Sequence, residues 1–248
     1  MEIVMDNVPR QHVLGLTLSG VDGRPILDHR AYGRLAASLQ AAADDDDVRV
    51  VLLRGLSGCF CLGGDLSEFV DDAKHLPLIG AVTDLFRALA TFPKPIIGCV
   101  DGDAVGVGCT VLFHCDLVFA ARQSTFRVPF VDFGLVPDAA TSILAPEKLG
   151  YAEAFRFFCM GEQLDGEAAH ALGLVSDLFD DNPDEAAWNA ARQLARKPVQ
   201  ALAMTRSLLK GDTAQLCQRI DREISLFHKA LQDETTIRRL RRISRMAA

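Results

Sequence analysis

The chain has 248 residues, 49% of them apolar and 24% charged, with a formal net charge of −7. That length and apolar share are enough for a sizeable core without covalent help, and the acidic balance argues against a nucleic-acid partner, whose contact surfaces are basic. The seven cysteines (Cys59, Cys61, Cys99, Cys109, Cys115, Cys159 and Cys217) are odd in number and sit mostly in apolar runs. This fits reduced thiols of a cytoplasmic protein better than a disulfide framework. Cys59-x-Cys61 lacks zinc-ligand spacing and no Cys or His pair follows it at ligand distance, so no metal is expected. The opening MEIVMDNVPR lacks the apolar core of a secretory signal, and the apolar stretch 95–121 is broken by Asp101, Asp103 and Asp116. Neither a signal peptide nor a membrane span is therefore expected.

In chain order, HVLGLTLSG (12–20) alternates as a strand, and AYGRLAASLQAAA (31–43) has the composition and apolar spacing of a helix. The four acids Asp44–Asp47 help end that helix, because negative charge at a C-terminus opposes the macrodipole. RVVLLRG (49–55) reads as a buried strand, and LIGAVTDLFRALATF (78–92) as a helix closed by Pro93 and Pro95. PIIGCVDG (95–102) is expected as a strand, residues 107–115 as a short apolar helix, and DLVFAA (116–121) as another strand. From residue 146 onward the pattern is helical. The reading is an α/β chain with a core over 1–192 and a helical region over 193–248.

Two glycine turns punctuate this pattern, CLGGD at 61–65 and DGDAVGVGC at 101–109. Glycine lets the backbone approach a ligand and present its N–H groups, and amides at a helix start favour negative charge. The first turn is equally readable as a plain turn. Neither is a dinucleotide fingerprint or a P-loop: the third glycine is missing at Val111, and no Lys-Ser or Lys-Thr follows. Asp65 suits the cap of the helix after the first turn. Downstream, FRVPFVDFGLVPDAATS (126–142) carries Asp138 in a short apolar loop. A turn or cap role after Pro137 and a proton-transfer role are both open to this carboxylate. Glu68, Asp132 and Glu147 fit surface helix or turn positions, and His114 fits a core position. The arginines at 238, 239, 241, 242 and 245 form a basic cluster. It reads as a solvated helix face or as a contact for an anionic ligand or a neighbouring subunit.

The segments DVRVVLLRG (47–55), CFCLGGDLSEF (59–69), KPIIGCVDGDAVGVGC (94–109), CDLVFAA (115–121), FGLVPDAATS (133–142) and ALGLVSDLF (171–179) carry a specific likeness. In order and spacing the chain resembles the crotonase, or enoyl-CoA hydratase/isomerase, superfamily, and its acidic loop is most similar to that of enoyl-CoA isomerases. The resemblance implies a ClpP-like spiral of ββα units with two near-perpendicular sheets. It also implies a helical C-terminal oligomerisation region and a homotrimer or hexamer. It implies an acyl-CoA thioester as ligand, with coenzyme A entering as part of the substrate and no separate cofactor. The thioester oxygen would be held by the backbone N–H groups of Gly64, after Gly63, and of Val107, after Gly106. Val107 departs from the usual glycine, so its side chain must point away from the thioester. Coenzyme A would lie along Arg24–Ile26 and Leu62–Leu66, past Asp65. Phe130, Leu135 and Val136 would wall a dry pocket around Asp138, which follows Pro137.

Family hydratases carry two glutamates where this chain has Thr110 and Phe130, so the resemblance points to double-bond migration through Asp138 alone. A dry pocket would raise the pKa of Asp138 toward the useful range. Three readings stand beside this one. The first is a hydratase-like enzyme. The second is a hydrolytic aryl-CoA dehalogenase, which needs a histidine on the helix before the loop and a tryptophan near the loop, whereas 78–92 contains no histidine and the one tryptophan is Trp188. The third is an acyl-CoA-binding subunit without catalysis.

Overall fold

The computed structural model describes residues 4–18, 25–71 and 73–247. Its strands form two sheets. The larger contains β1 (Val4–Arg10), β2 (Val13–Thr17), β3 (Val50–Arg54), β5 (Ile96–Val100), β7 (Leu117–Ala121) and β10 (Asp177–Phe179), in that spatial order. The smaller contains β4 (Cys59–Cys61), β6 (Asp103–Val105), β8 (Thr125–Arg127) and β9 (Leu164–Asp165). Among the described strands, the outer pairs β1–β2 and β8–β9 are antiparallel and the other strand pairs are parallel.

The chain visits the sheets alternately. β3 is followed by β4 and then by α2 (Leu66–Phe69) and α3 (His75–Thr91). β5 leads to β6 and α4 (Val107–Thr110), which continues as a 3₁₀ turn over Val111–His114. β7 leads to β8 and α5 (Phe130–Phe133). Each strand–strand–helix unit is one turn of a spiral, as the resemblance implied. Because β4, β6 and β8 are parallel neighbours, the loops leaving them emerge side by side at one edge of the small sheet.

Glycines hold the turns of the spiral close. Gly102 has φ +92°, and a methyl group on it would lie 2.1 Å from the Gly58 carbonyl oxygen. Gly108 opens α4 directly against β4, where a methyl group would lie 2.5 Å from the Cys61 carbonyl oxygen. Any other residue would push the successive units apart.

β3 and β5 are apolar along their length because both faces of the large sheet are covered. On one side Val50, Leu52, Ile97 and Phe119 pack against Ala187, Ala191 and Ala195 of α9 (Asp184–Ala195). On the other, Val51, Leu53 and Ile96 join the main core with α1 (His29–Asp44) and α3. Asp28 caps α1, its side chain accepting from the Ala31 amide at 2.7 Å. The remaining helices are α6 (Thr141–Leu149), α7 (Tyr151–Cys159), α8 (Gly166–Ala171), α10 (Val199–Lys210), α11 (Thr213–Ala230) and α12 (Glu234–Ala247). α11 packs on α3 and α6, and α12 on α2 and α5. Arg206 of α10 is buried; its Nε lies 2.9 Å from both Asp116 oxygens and its Nη1 donates to the Phe92 carbonyl.

The helix read over 78–92 begins three residues earlier, at His75. β1, β10 and the short strands of the smaller sheet have no counterpart in the sequence reading. β9 and β10, each too short to show a strand period, interrupt the stretch after 146 that reads as helical. All seven cysteines are free thiols, with Cys61, Cys99, Cys109 and Cys115 buried and Cys159 exposed. Among the described residues no helix is long and apolar enough to cross a membrane.

Candidate active site

Where the loops after β4, β6 and β8 meet there is a cavity of about 110 Å³. Leu62, Gly63, Gly64 and Leu66 line it from the first loop, Gly106 and Val107 from the second, and Phe130, Leu135 and Asp138 from the third. The two glycine turns touch: a methyl group on Gly106 would sit 3.8 Å from the Gly63 α-carbon. Gly63 (φ +103°) and Gly106 (φ +55°) both have left-handed backbone, which turns the following amides of Gly64 and Val107. Neither of those amides donates a hydrogen bond among the described residues, whereas Gly106, Cys109 and Thr110 all donate to backbone carbonyls. The site thus sets two free amide donors beside one carboxylate.

Asp138 is 7% exposed, and its Oδ1 has no hydrogen-bond partner. Burial pushes its pKa up from 3.8 to about 7; the Thr110 hydroxyl opposes the rise and the charge of Glu223 adds to it. The contact with Thr110 falls short of a formed hydrogen bond, since Thr110 Oγ1 is also without a partner. A carboxyl group in this range exchanges a proton readily near neutral pH.

The backbone after Asp138 is strained. Ala139 and Ala140 have φ +56° and +57°, a conformation that costs about 1 kcal/mol or more for each non-glycine residue. His114 holds this turn from one side, its Nε2 donating to the Ala139 carbonyl at 2.7 Å. The pKa of His114 is driven down to about 3, first by burial and then by the charge of Lys210, so the ring is a neutral donor. From the other side Glu223 of α11 accepts from the Ala140 amide at 2.6 Å and from the Ser142 amide at 3.0 Å. These bonds occupy the N-terminus of α6, which has no side-chain cap of its own.

Several cavity residues were missed in the sequence. Tyr32 of α1, Phe69 of α2, Phe133 of α5 and Phe227 of α11 complete the wall. The Tyr32 hydroxyl would lie 2.9 Å from a methyl group on Gly64. Its pKa is held well above 10.0 by burial and then by the Asp138 charge, so it stays a protonated donor. A small recess continues behind Tyr32 and Asp138 toward Ile79, Val82 and Ile224. Their parent helices are plain amphipathic patterns, and nothing local marks the residues that face a site.

Other expected positions lie elsewhere. Asp65 caps α2, accepting from the Ser67 amide at 2.9 Å, and does not line the cavity. Ile26 sits in the segment 25–27, which runs alongside the first glycine turn through bonds from Leu62, Leu27 and Asp65 amides. Pro137 is half-buried outside the lining, and Val136 packs toward the main core. Arg24 is outside the described residues. Glu68 is buried rather than on the surface: it is 4% exposed and bonded to His29. Asp132 and Glu147 are exposed, as are the five C-terminal arginines. Of these, Arg239 donates to the Asp132 carbonyl at 3.0 Å.

Fold and site together define a class: an α/β spiral whose parallel turns present two backbone donors and one buried carboxylate to an apolar cavity. The chain belongs to the enoyl-CoA hydratase/isomerase family, whose model matches residues 25–240. It is 32% identical to 1,2-epoxyphenylacetyl-CoA isomerase of Escherichia coli (strain K12) over 231 residues, which is 90% of this chain and 88% of that protein. It is 30% identical to 2,3-dehydroadipyl-CoA hydratase of the same organism, covering 88% and 86%. Among solved structures, OdaA of Pseudomonas aeruginosa superposes with a TM-score of 0.88 at 34% identity, covering 94% of this chain and 96% of that one.

Proposed function

We propose that this protein is a Δ3-Δ2-enoyl-CoA isomerase in which Asp138 is the proton shuttle. The observation that carries the reading is that Asp138 is the one carboxylate among the described residues lining the cavity, with its pKa pushed up to about 7. The ionised carboxylate removes a proton from C2 of a 3-enoyl-CoA. The electron pair delocalises into the thioester, and the dienolate oxygen is held by the Gly64 and Val107 amides. Protonated Asp138 then returns the proton at C4, leaving the 2-enoyl product and a regenerated carboxylate. Each oxyanion donor of this kind is worth about 2.7–4 kcal/mol of barrier. The apolar walls keep bulk water from the dienolate.

Coenzyme A arrives within the substrate, and no separate cofactor takes part. The cytoplasm and a homotrimer or hexamer are its proposed setting. Thr110 and Phe130 stand where family hydratases carry glutamates, and neither can serve as a water-activating base at neutral pH. For the dehalogenase reading, His75 does lie on α3, but its ring stacks on His228 and it is not part of the cavity wall. Trp188 lies against Arg54 on the outer face of the large sheet.

The test is deuterium incorporation at C2 and C4 of a 3-enoyl-CoA in D₂O, followed by NMR for wild type and Asp138→Asn. Wild type is expected to migrate the double bond, with kcat/KM rising with pH through about 7, and the variant to lose this by at least about a hundredfold. Thioester binding without exchange in either protein would replace the isomerase with a binding subunit.

A further inference from the structure

We infer that Glu223 is a positioning residue for Asp138: from the C-terminal helix α11 it holds the strained turn that aims the carboxylate into the cavity. Three bonds carry this. Glu223 accepts from the Ala140 amide, the Ser142 amide and the Ser142 hydroxyl, with 83 and 81 residues of chain between the partners. Glu223 is 4% exposed, so its bonds are largely shielded from competition with water. Ala139 and Ala140 are both left-handed, a conformation alanine leaves unless neighbours enforce it. Ala140 has no side chain with which to cap α6, so the free amides at that end require an outside acceptor. Glu223 meets both needs at once.

The charge of Glu223 also reaches Asp138 and favours its protonated form. The groups facing Asp138 are Tyr32 from α1, Cys109 and Thr110 from α4, and Glu223 from α11. Glu223 itself is faced by Arg219, one turn earlier on α11, whose Nη1 donates to the Ser142 hydroxyl at 3.3 Å. Behind the turn, His114 is followed by Lys148, Lys210 and Arg206. Among these neighbours, Glu223 alone both bonds the turn and carries negative charge toward Asp138.

The inference rests on the isomerase reading only for its effect on rate, so its test includes readouts that need no turnover. In the substrate-free protein, the ¹³C carboxyl titration of Asp138 (the signal absent from Asp138→Asn) and hydrogen exchange of the Ala140 amide are compared in wild type, Glu223→Gln and Glu223→Asp. Glutamine keeps one acceptor but turns an NH₂ group toward the second amide. In Glu223→Gln the Asp138 titration is expected to fall by about one unit, as removal of a nearby like charge requires. The Ala140 amide should exchange at least about tenfold faster, and turnover should drop about tenfold or more at little-changed KM, as for a misaimed base. Glu223→Asp, which keeps the charge on a shorter stem, should restore the titration but not the amide protection. It carries the test by itself should Glu223→Gln fail to fold. An Asp138 titration and an Ala140 exchange rate that match wild type in Glu223→Gln, or an Ala140 amide fully protected in Glu223→Asp, would overturn the inference. Absence of C2 exchange in wild type would instead remove the isomerase reading and leave these two readouts to decide Glu223.

Discussion

Asp138 shows what a buried carboxylate does to a protein that keeps it. Its folded pKa of about 7 lies above the ordinary 3.8, so the folded state binds the proton more tightly than the unfolded chain does. Below pH 3.8 both states are protonated and the group makes no difference. Between that point and about pH 7 the folded state is progressively penalised, and above it the penalty is constant. Asp138→Asn is therefore expected to be more stable than wild type at pH 8, by up to about 4 kcal/mol, and to lose that advantage near pH 4. Denaturant unfolding at the two pH values measures this directly. An unchanged difference would mean that burial does not set the pKa. The residue proposed to carry the proton is thus one the fold tolerates at a cost, as proposed catalytic positions often are.

The decisive contact between elements is that of α4 against β4. Gly108 has no room for a methyl group, which would meet both the carbonyl oxygen and the β-carbon of Cys61, at 2.5 and 2.6 Å. Gly108→Ala must push the second glycine turn away from the first, separating the Val107 and Gly64 amides. The expected result is a fall in kcat of at least about a hundredfold, the scale of losing one oxyanion donor, while substrate binding persists. Steady-state kinetics with a thioester-binding measurement separate the two. A normal kcat would show that the amides do not act as a pair. The glycine turns were legible because their requirement is local: positive φ and close backbone approach admit few other residues. The strands β4, β6 and β8 that carry the turns were not. Each has three residues, too few for any periodicity to show, and they are held by pairing with partners more than twenty residues away.

For the molecule as a whole, the helical C-terminal region closes the site that the spiral opens. Phe227 packs on Phe69 with ring centroids 5.6 Å apart and forms part of the cavity wall. Phe227→Ala is expected to reduce stability by about 3 kcal/mol, as for a large side chain removed from a core, and to admit bulkier acyl groups than wild type. Thermal unfolding and relative kcat/KM across a series of 3-enoyl-CoA chain lengths test the two effects. An unchanged preference would place the acyl end elsewhere.

By itself the sequence determined the alternation of strand and helix, the two glycine turns and the acidic loop with Asp138. Each of these follows from local constraints on periodicity, backbone torsion or turn chemistry. The tertiary structure alone decided that Tyr32, Phe69 and Phe227 wall the cavity and that Asp65, readable as a helix cap in the sequence, does not also line it. It also decided that Glu68 is buried and that Glu223 braces the acidic loop from 81–83 residues away. Those outcomes depend on which faces of distant helices meet, and an amphipathic pattern specifies that a face is buried without specifying what it is buried against.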